Sequence, residues 1–189
     1  MCKYRVLKML PNTLTIIRII AIPFFVYYLL TDNPLVALAI FVTACISDYY
    51  DGMLARKYQN VTKFGQLMDP LADKLLVLSA LVLLCIKPIN YIHWIVTSII
   101  ALREVVITFL RSHYLKKKIT IPANIWGKIK TVLQMIGIIS ALTFYTAFQL
   151  NVLPASYENI TILLIQIFFS VVVIVTILSG YSYFKRDKS

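Results

Sequence analysis

The chain has 189 residues, 60% of them hydrophobic and 14% charged, with five Gly and seven Pro. That balance excludes a disordered chain, a collagen and a low-complexity array, and a mean hydropathy of +0.81 is too apolar for an ordinary soluble domain. The net charge of +11 does not point to nucleic acid, because no basic run is interleaved with aromatics. Basic residues instead collect on the cytoplasmic side of membrane proteins.

Six segments approach the roughly 20 residues that cross a bilayer. The expected fold is therefore an all-α integral membrane protein, a single domain over residues 1–189. Met1 to Leu10 is short and basic and suits the membrane interface. The first helix is expected from Asn12 to Leu30, with Pro23 tolerated inside it. Thr31 to Pro34 reads as a turn, and the second helix runs from Leu35 to about Arg56. A polar loop, Lys57 to Met68, leads to a third helix from Asp69-Pro70 to Ile86. Lys87 to Asn90 turns the chain. The fourth helix spans Tyr91 to Tyr114, the fifth Trp126 to Leu150 and the sixth Thr161 to Phe184. With both termini cytoplasmic, eighteen Lys and Arg lie in cytoplasmic segments or towards the cytoplasmic ends of helices, and Lys87 alone lies opposite. The positive-inside rule then sets the orientation. Cys2, Cys45 and Cys85 show no disulfide or zinc spacing. No apolar segment precedes Cys2, so processing there is not expected, and whether Cys2 is modified stays open.

Four of the eight acidic residues fall in the 26 residues from Asp48 to Asp73. A carboxylate inside a membrane segment costs about 3 kcal/mol on insertion scales and is a functional candidate by default. On a helix, Asp48, Asp51, Gly52 and Ala55 share one face. Asp69 and Asp73 are one turn apart on the next helix. Antiparallel neighbours with a short loop would bring both pairs to the same membrane surface. Four clustered carboxylates repel unless cations join them. Mg²⁺ or Mn²⁺ suits such oxygen ligands. Two ions about 3.5–4 Å apart can clamp a diphosphate. Gly52 lets a ligand approach the backbone, and Arg56 can reach a phosphate oxygen. Asp69 before Pro70 also fits a helix N-cap with Pro at the first helical position. A proton or ion relay in a transporter would not explain Gly52, Ala55, Arg56 and Gly65.

The run Asp48-x2-Asp51-Gly52-x2-Ala55-Arg56-x8-Gly65-x3-Asp69-x3-Asp73 resembles the signature of the CDP-alcohol phosphatidyltransferase family, with every spacing kept. The resemblance extends to the six-helix layout and covers nearly the whole chain. It implies an enzyme in which an alcohol attacks a CDP-linked lipid and displaces CMP. It also implies two divalent cations on Asp48, Asp51, Asp69 and Asp73, with Asp73 as general base. The residues by themselves do not choose between Asp73 and Asp69 as the base. The family's CDP-lipid contacts fall on Gly52, Arg56 and Thr62, and on Pro11, Asn12 and Thr13. Ala55 and Gly65 serve close approach, and homodimers are implied.

Outside that motif, Arg103, Arg111, Lys128 and Lys130 lie towards the cytoplasmic ends of the fourth and fifth helices. Buried cations level with an acidic site suggest a phosphorylated acceptor. Snorkelling to the interface is the competing reading, strongest for Lys130. Adjacent residues on a helix do not face each other, so Glu104 is expected to pair with Arg111 or Lys128 and not with Arg103. Ala101 to Glu104, Arg111, Trp126 to Thr131 with Gln134, and Pro11-Asn12-x2-Thr15-x2-Arg18 resemble the bacterial branch that makes phosphatidylglycerophosphate. That branch implies CDP-diacylglycerol as donor, sn-glycerol 3-phosphate as acceptor, and a multi-pass protein of the bacterial inner membrane with its site facing the cytoplasm. Cardiolipin synthases share much of the pattern. Intramembrane prenyltransferases also use Asp-rich motifs, but resemble a longer fold with motifs far apart in sequence.

Overall fold

The computed structural model describes residues 17–31, 33–58, 63–86, 89–116 and 125–186, with side chains described over 17–31, 33–47, 74–86, 89–110 and 127–180. The basic 1–10 segment, Cys2, Asp32, the 87–88 and 117–124 loop residues and the C-terminal 187–189 lie outside this set. Among the described residues, regular structure is entirely helical. The helices are α1 (Ile17–Leu30), α2 (Pro34–Tyr58), α3 (Lys63–Cys85), α4 (Trp94–Lys116), α5 (Ile125–Gln149) and α6 (Glu158–Arg186), with a single 3₁₀ turn at Ala155–Tyr157. The chain divides into two compact units, Met1–Leu83 and Leu84–Ser189.

In the first unit, α1 runs unbroken through Pro23, as a membrane helix permits. Thr31 and Asn33 donate backbone N–H groups to Tyr27 and Tyr28 and close α1. The Asn33 carbonyl then accepts from Ala37 and opens α2, with Pro34 at the first helical position where no N–H is needed. Phe25 and Leu29 of α1 are buried, as are Ala37, Phe41 and Ala44 of α2. The Phe25 and Phe41 rings pack in a tilted arrangement with centroids 5.5 Å apart. Ala37 and Ala44, two turns apart, leave room for that approach.

The third helix differs from expectation. It starts at Lys63, not at Asp69, so residues 59–62 replace the expected twelve-residue loop. Asp69 is therefore the seventh helical residue and not an N-cap, and Pro70 stands in the helix interior. Pro70 removes one bond, to the carbonyl four residues back, and membrane helices accommodate such a loss.

The second unit begins with a tight reversal. Asn90 adopts φ 46°, a left-handed conformation that Asn tolerates better than most residues. The Leu84 carbonyl accepts from both Tyr91 and Ile92, at 2.8 and 3.1 Å. These two residues fold back, fully buried, and α4 starts at Trp94 and not at Tyr91. Burial pushes the Tyr91 phenol well above its ordinary pKa, and the Glu158 carboxylate and Tyr145 add to the shift.

Helix α5 ends in a Schellman motif. Asn151 takes φ 54°, its N–H bonds the Phe148 carbonyl, and Val152 N–H bonds the Ala147 carbonyl at 2.9 Å. Helix α6 starts three residues before the expected Thr161, because the 3₁₀ turn after Pro154 leads straight into it. Glu158 in its first turn complements the helix dipole. Helices α5 and α6 pack closely at Gly137, where a Cβ would lie 2.9 Å from both Phe168 and Phe169. Ile138, Ala141 and Leu142 of α5 and Phe169 and Val172 of α6 are fully buried.

The outer faces are apolar. Along α6, Ile160, Leu163, Leu164, Ile167, Val171, Ile174 and Leu178 are exposed at helical spacing. On α4, Trp94, Leu102, Val105 and Phe109 are exposed by 60% or more. Such a surface suits hydrocarbon and not water. Two described segments, Gly127–Gln149 and Ala155–Gly180, are long and apolar enough to cross a bilayer, and Ile17–Leu30, Pro34–Ser47 and Lys74–Cys85 are shorter apolar helices. At 1.5 Å per residue, the 25 residues of α5 measure about 37 Å. Hydroxyls on these helices satisfy themselves locally: Thr146 bonds the Leu142 carbonyl at 2.7 Å and Thr176 the Val172 carbonyl at 2.6 Å.

Candidate active site

The two halves of the acidic motif fall on consecutive helices of the first unit. Helix α2 carries Asp48, Asp51, Gly52, Ala55 and Arg56 in its last three turns. Helix α3 carries Gly65, Asp69 and Asp73 in its first three. The spacings of three on α2 and four on α3 keep each Asp pair on one helical face. The chain between the helices is 59–62, so Thr62 lies outside the described residues, as do Pro11, Asn12 and Thr13. The side chains of Asp48, Asp51, Asp69 and Asp73 lie outside the described residues; by their chemistry four carboxylates are hard oxygen ligands of the kind that Mg²⁺ and Mn²⁺ take.

The cations expected to hold an acceptor fall in the second unit. Arg103 and Glu104 lie midway along α4, and Arg111 lies two turns nearer its end. Lys128 and Lys130 lie in the first two turns of α5. The structure brings Arg103, Glu104 and Lys130 together. The Lys130 ammonium is ion-paired with Glu104 Oε1, and its side chain is 1% exposed. Arg103 Nη1 lies 3.5 Å from the same Oε1. Arg103 Nη2 donates to Ser179 Oγ of α6 at 2.8 Å. Lys128 is exposed, and the Arg111 side chain lies outside the described residues.

Two expectations are corrected here. Glu104 pairs with Lys130 and with its neighbour Arg103, which was expected to face away; the alternative partner Arg111 has its side chain outside the described residues. The rule that helical neighbours diverge holds at Cβ, but a guanidinium on its long stem can curl back to the next residue, and here both side chains converge where α5 passes. Lys130 does not snorkel to the interface; it is buried against Glu104. A lone ammonium there would carry a desolvation cost of several kcal/mol, and the carboxylate offsets it. Two cations thus meet at one carboxylate oxygen.

Ser179 was not legible as a site residue. It is one of several hydroxyls in an apolar run, and only the fold brings it to Arg103. Gln134, one turn beyond Lys130 on α5, is also buried, and its amide nitrogen has no hydrogen-bond partner among the described residues.

The model of the CDP-alcohol phosphatidyltransferase family matches residues 8–178, across both units. The chain belongs to that family. It is 37% identical over 184 residues to a Rickettsia bellii CDP-diacylglycerol–glycerol-3-phosphate 3-phosphatidyltransferase, covering 95% of each chain. It is 35% identical over 192 residues to the Rickettsia prowazekii protein of the same name, covering 98% of each. A Mycoplasma pneumoniae protein, also so named, is 38% identical over 165 residues, covering 76% of this chain and 71% of its own.

Proposed function

We propose that this chain transfers the phosphatidyl group of CDP-diacylglycerol to sn-glycerol 3-phosphate, releasing CMP and forming phosphatidylglycerophosphate. The observation that carries this reading is the near full-length likeness to bacterial relatives named for that reaction. The eight-position acidic motif on two consecutive helices supports it. We read residues 1–189 as one membrane domain that crosses the bacterial plasma membrane six times, with both termini and the site on the cytoplasmic side. The support is the distribution of Lys and Arg and the exposed apolar faces. The protein is read as a homodimer, by family resemblance alone.

Asp48, Asp51, Asp69 and Asp73 would hold two divalent cations, Mg²⁺ or Mn²⁺. When bound, these supply neutralising charge for the diphosphate and for the departing phosphate of CMP. Gly52, Arg56, Thr62, Pro11, Asn12 and Thr13 bind the CDP-lipid, and Ala55 and Gly65 keep the helices close. Asp73 takes the proton of the acceptor hydroxyl. The acceptor oxygen then bonds to the lipid-bearing phosphorus as the bond from that phosphorus to CMP breaks. Arg103, Arg111, Lys128 and Lys130 hold the acceptor's phosphate.

The test is purified protein in mixed micelles with CDP-diacylglycerol and a panel of acceptors. The reading expects CMP release with glycerol 3-phosphate and a phosphatidylglycerophosphate product. Preference for inositol, serine or phosphatidylglycerol would replace the acceptor while leaving the reaction class. Absence of CMP release with every acceptor would remove the reaction class as well.

A further inference from the structure

Ser179 is a contact in the cationic cluster that sequence spacing could not supply, and its hydrogen bonding limits what it can do. It sits on α6, 76 residues from Arg103, and is fully buried. Its hydroxyl proton goes to the Thr176 carbonyl, 2.9 Å away on the same helix. A hydroxyl has one proton to give and two lone pairs that accept. With the proton committed to the backbone, the oxygen faces Arg103 as an acceptor only, at 2.8 Å from Nη2. Ser179 therefore has no proton to offer an anionic ligand; what it can do is fix a guanidinium. The other end of that guanidinium is fixed by Glu104, 3.5 Å from Nη1, which also holds Lys130. Two anchors on different helices define the plane of the Arg103 fork, and a planar fork recognises phosphate only when its plane is correctly set.

We propose that Ser179 is a positioning residue for the acceptor phosphate, acting through Arg103. The proposal rests on the reading that Arg103 contacts that phosphate. It separates from a purely structural tie between α4 and α6, because a tie would change stability and leave substrate affinities alone.

The experiment is a double-mutant cycle on the full-length protein in micelles, with KM for glycerol 3-phosphate, KM for CDP-diacylglycerol, kcat and Tm read for each variant. Ser179→Ala is expected to raise KM for glycerol 3-phosphate roughly fivefold to tenfold. KM for CDP-diacylglycerol should stay within about twofold. Arg103→Ala should raise the acceptor KM further, and adding Ser179→Ala to it should change nothing more, since the hydroxyl has no guanidinium left to orient. Ser179→Cys keeps nearly the same volume with a weaker acceptor and should reproduce the KM effect if the alanine variant does not fold. A lower Tm with both KM values unchanged would overturn the proposal and leave Ser179 a tie. So would equal and additive losses in the Arg103→Ala background. If Arg103→Ala itself leaves the acceptor KM unchanged, the acceptor assignment fails, and the proposal fails with it for that separate, recognisable reason.

Discussion

The two compact units solve opposite electrostatic problems. In the first, four Asp come from two consecutive helices, and on the proposed reading divalent cations meet their charge. In the second, Arg103 and Lys130 come from different helices and meet around the Glu104 carboxylate. On the proposed reading the first arrangement is completed by bound cations, whereas the contacts among Arg103, Glu104 and Lys130 are already made. The lesson is that one site can be held by spacing along the chain while its counterpart is held by packing among three helices. Their sensitivities to metal removal and to substitution should differ accordingly.

The largest expected effect breaks the first arrangement. Asp48→Asn, Asp51→Asn and Asp69→Asn should each lower turnover by roughly a thousandfold or more, since losing one ligand loosens both ions and each step of about 1.4 kcal/mol is tenfold. Excess chelator should do the same to the unaltered protein. Retained CMP release under chelation would contradict the divalent reading.

Asp73→Asn sharpens the roles within that cluster. Loss of a general base typically costs about 10²–10⁴-fold, and CDP-lipid binding should survive better than turnover. Parallel losses in binding and rate would make Asp73 chiefly a ligand.

The second arrangement should respond through the acceptor alone. Arg111→Ala or Lys128→Ala is expected to raise KM for glycerol 3-phosphate about tenfold to a hundredfold, with KM for CDP-diacylglycerol little changed. Arg111→Lys should restore only part of the loss, because a point charge does not replace a planar fork. Equal rises in both KM values would remove the division of labour between the regions.

The smallest effect separates packing from chemistry in the second unit. Gly137→Ala places a methyl group 2.9 Å from both Phe168 and Phe169. It should cost about 1–3 kcal/mol of stability, seen as a lower Tm, with kcat per folded protein preserved. An unchanged Tm would mean that α5 and α6 can spread without penalty.

How much could be read in advance follows the same division. Helix number, the turn at Thr31 to Pro34 and the placement of all four Asp on two consecutive helices were legible, because apolar run length and spacings of three and four are local properties. The start of α3 was misjudged because Asp69-Pro70 has the chemistry of a helix entry, yet six residues before it had already joined the helix. Tyr91 read as the start of α4, but the twofold use of the Leu84 carbonyl held it in the turn. The Glu104 partnership was missed because it depends on where α5 crosses α4, and no spacing within either helix encodes that. Ser179, 76 residues from Arg103, is the extreme case.

The most direct test of the contrast is substrate binding with divalent cations removed. Chelated, full-length protein in micelles would be titrated separately with glycerol 3-phosphate and with a CDP-diacylglycerol analogue. A cationic cluster balanced by Glu104 and already assembled predicts that glycerol 3-phosphate still binds within a few-fold of its affinity in Mg²⁺, while CDP-lipid affinity collapses. Loss of both affinities together on chelation would contradict the account, because the acceptor site would then depend on the metal and not on the packing of α4, α5 and α6.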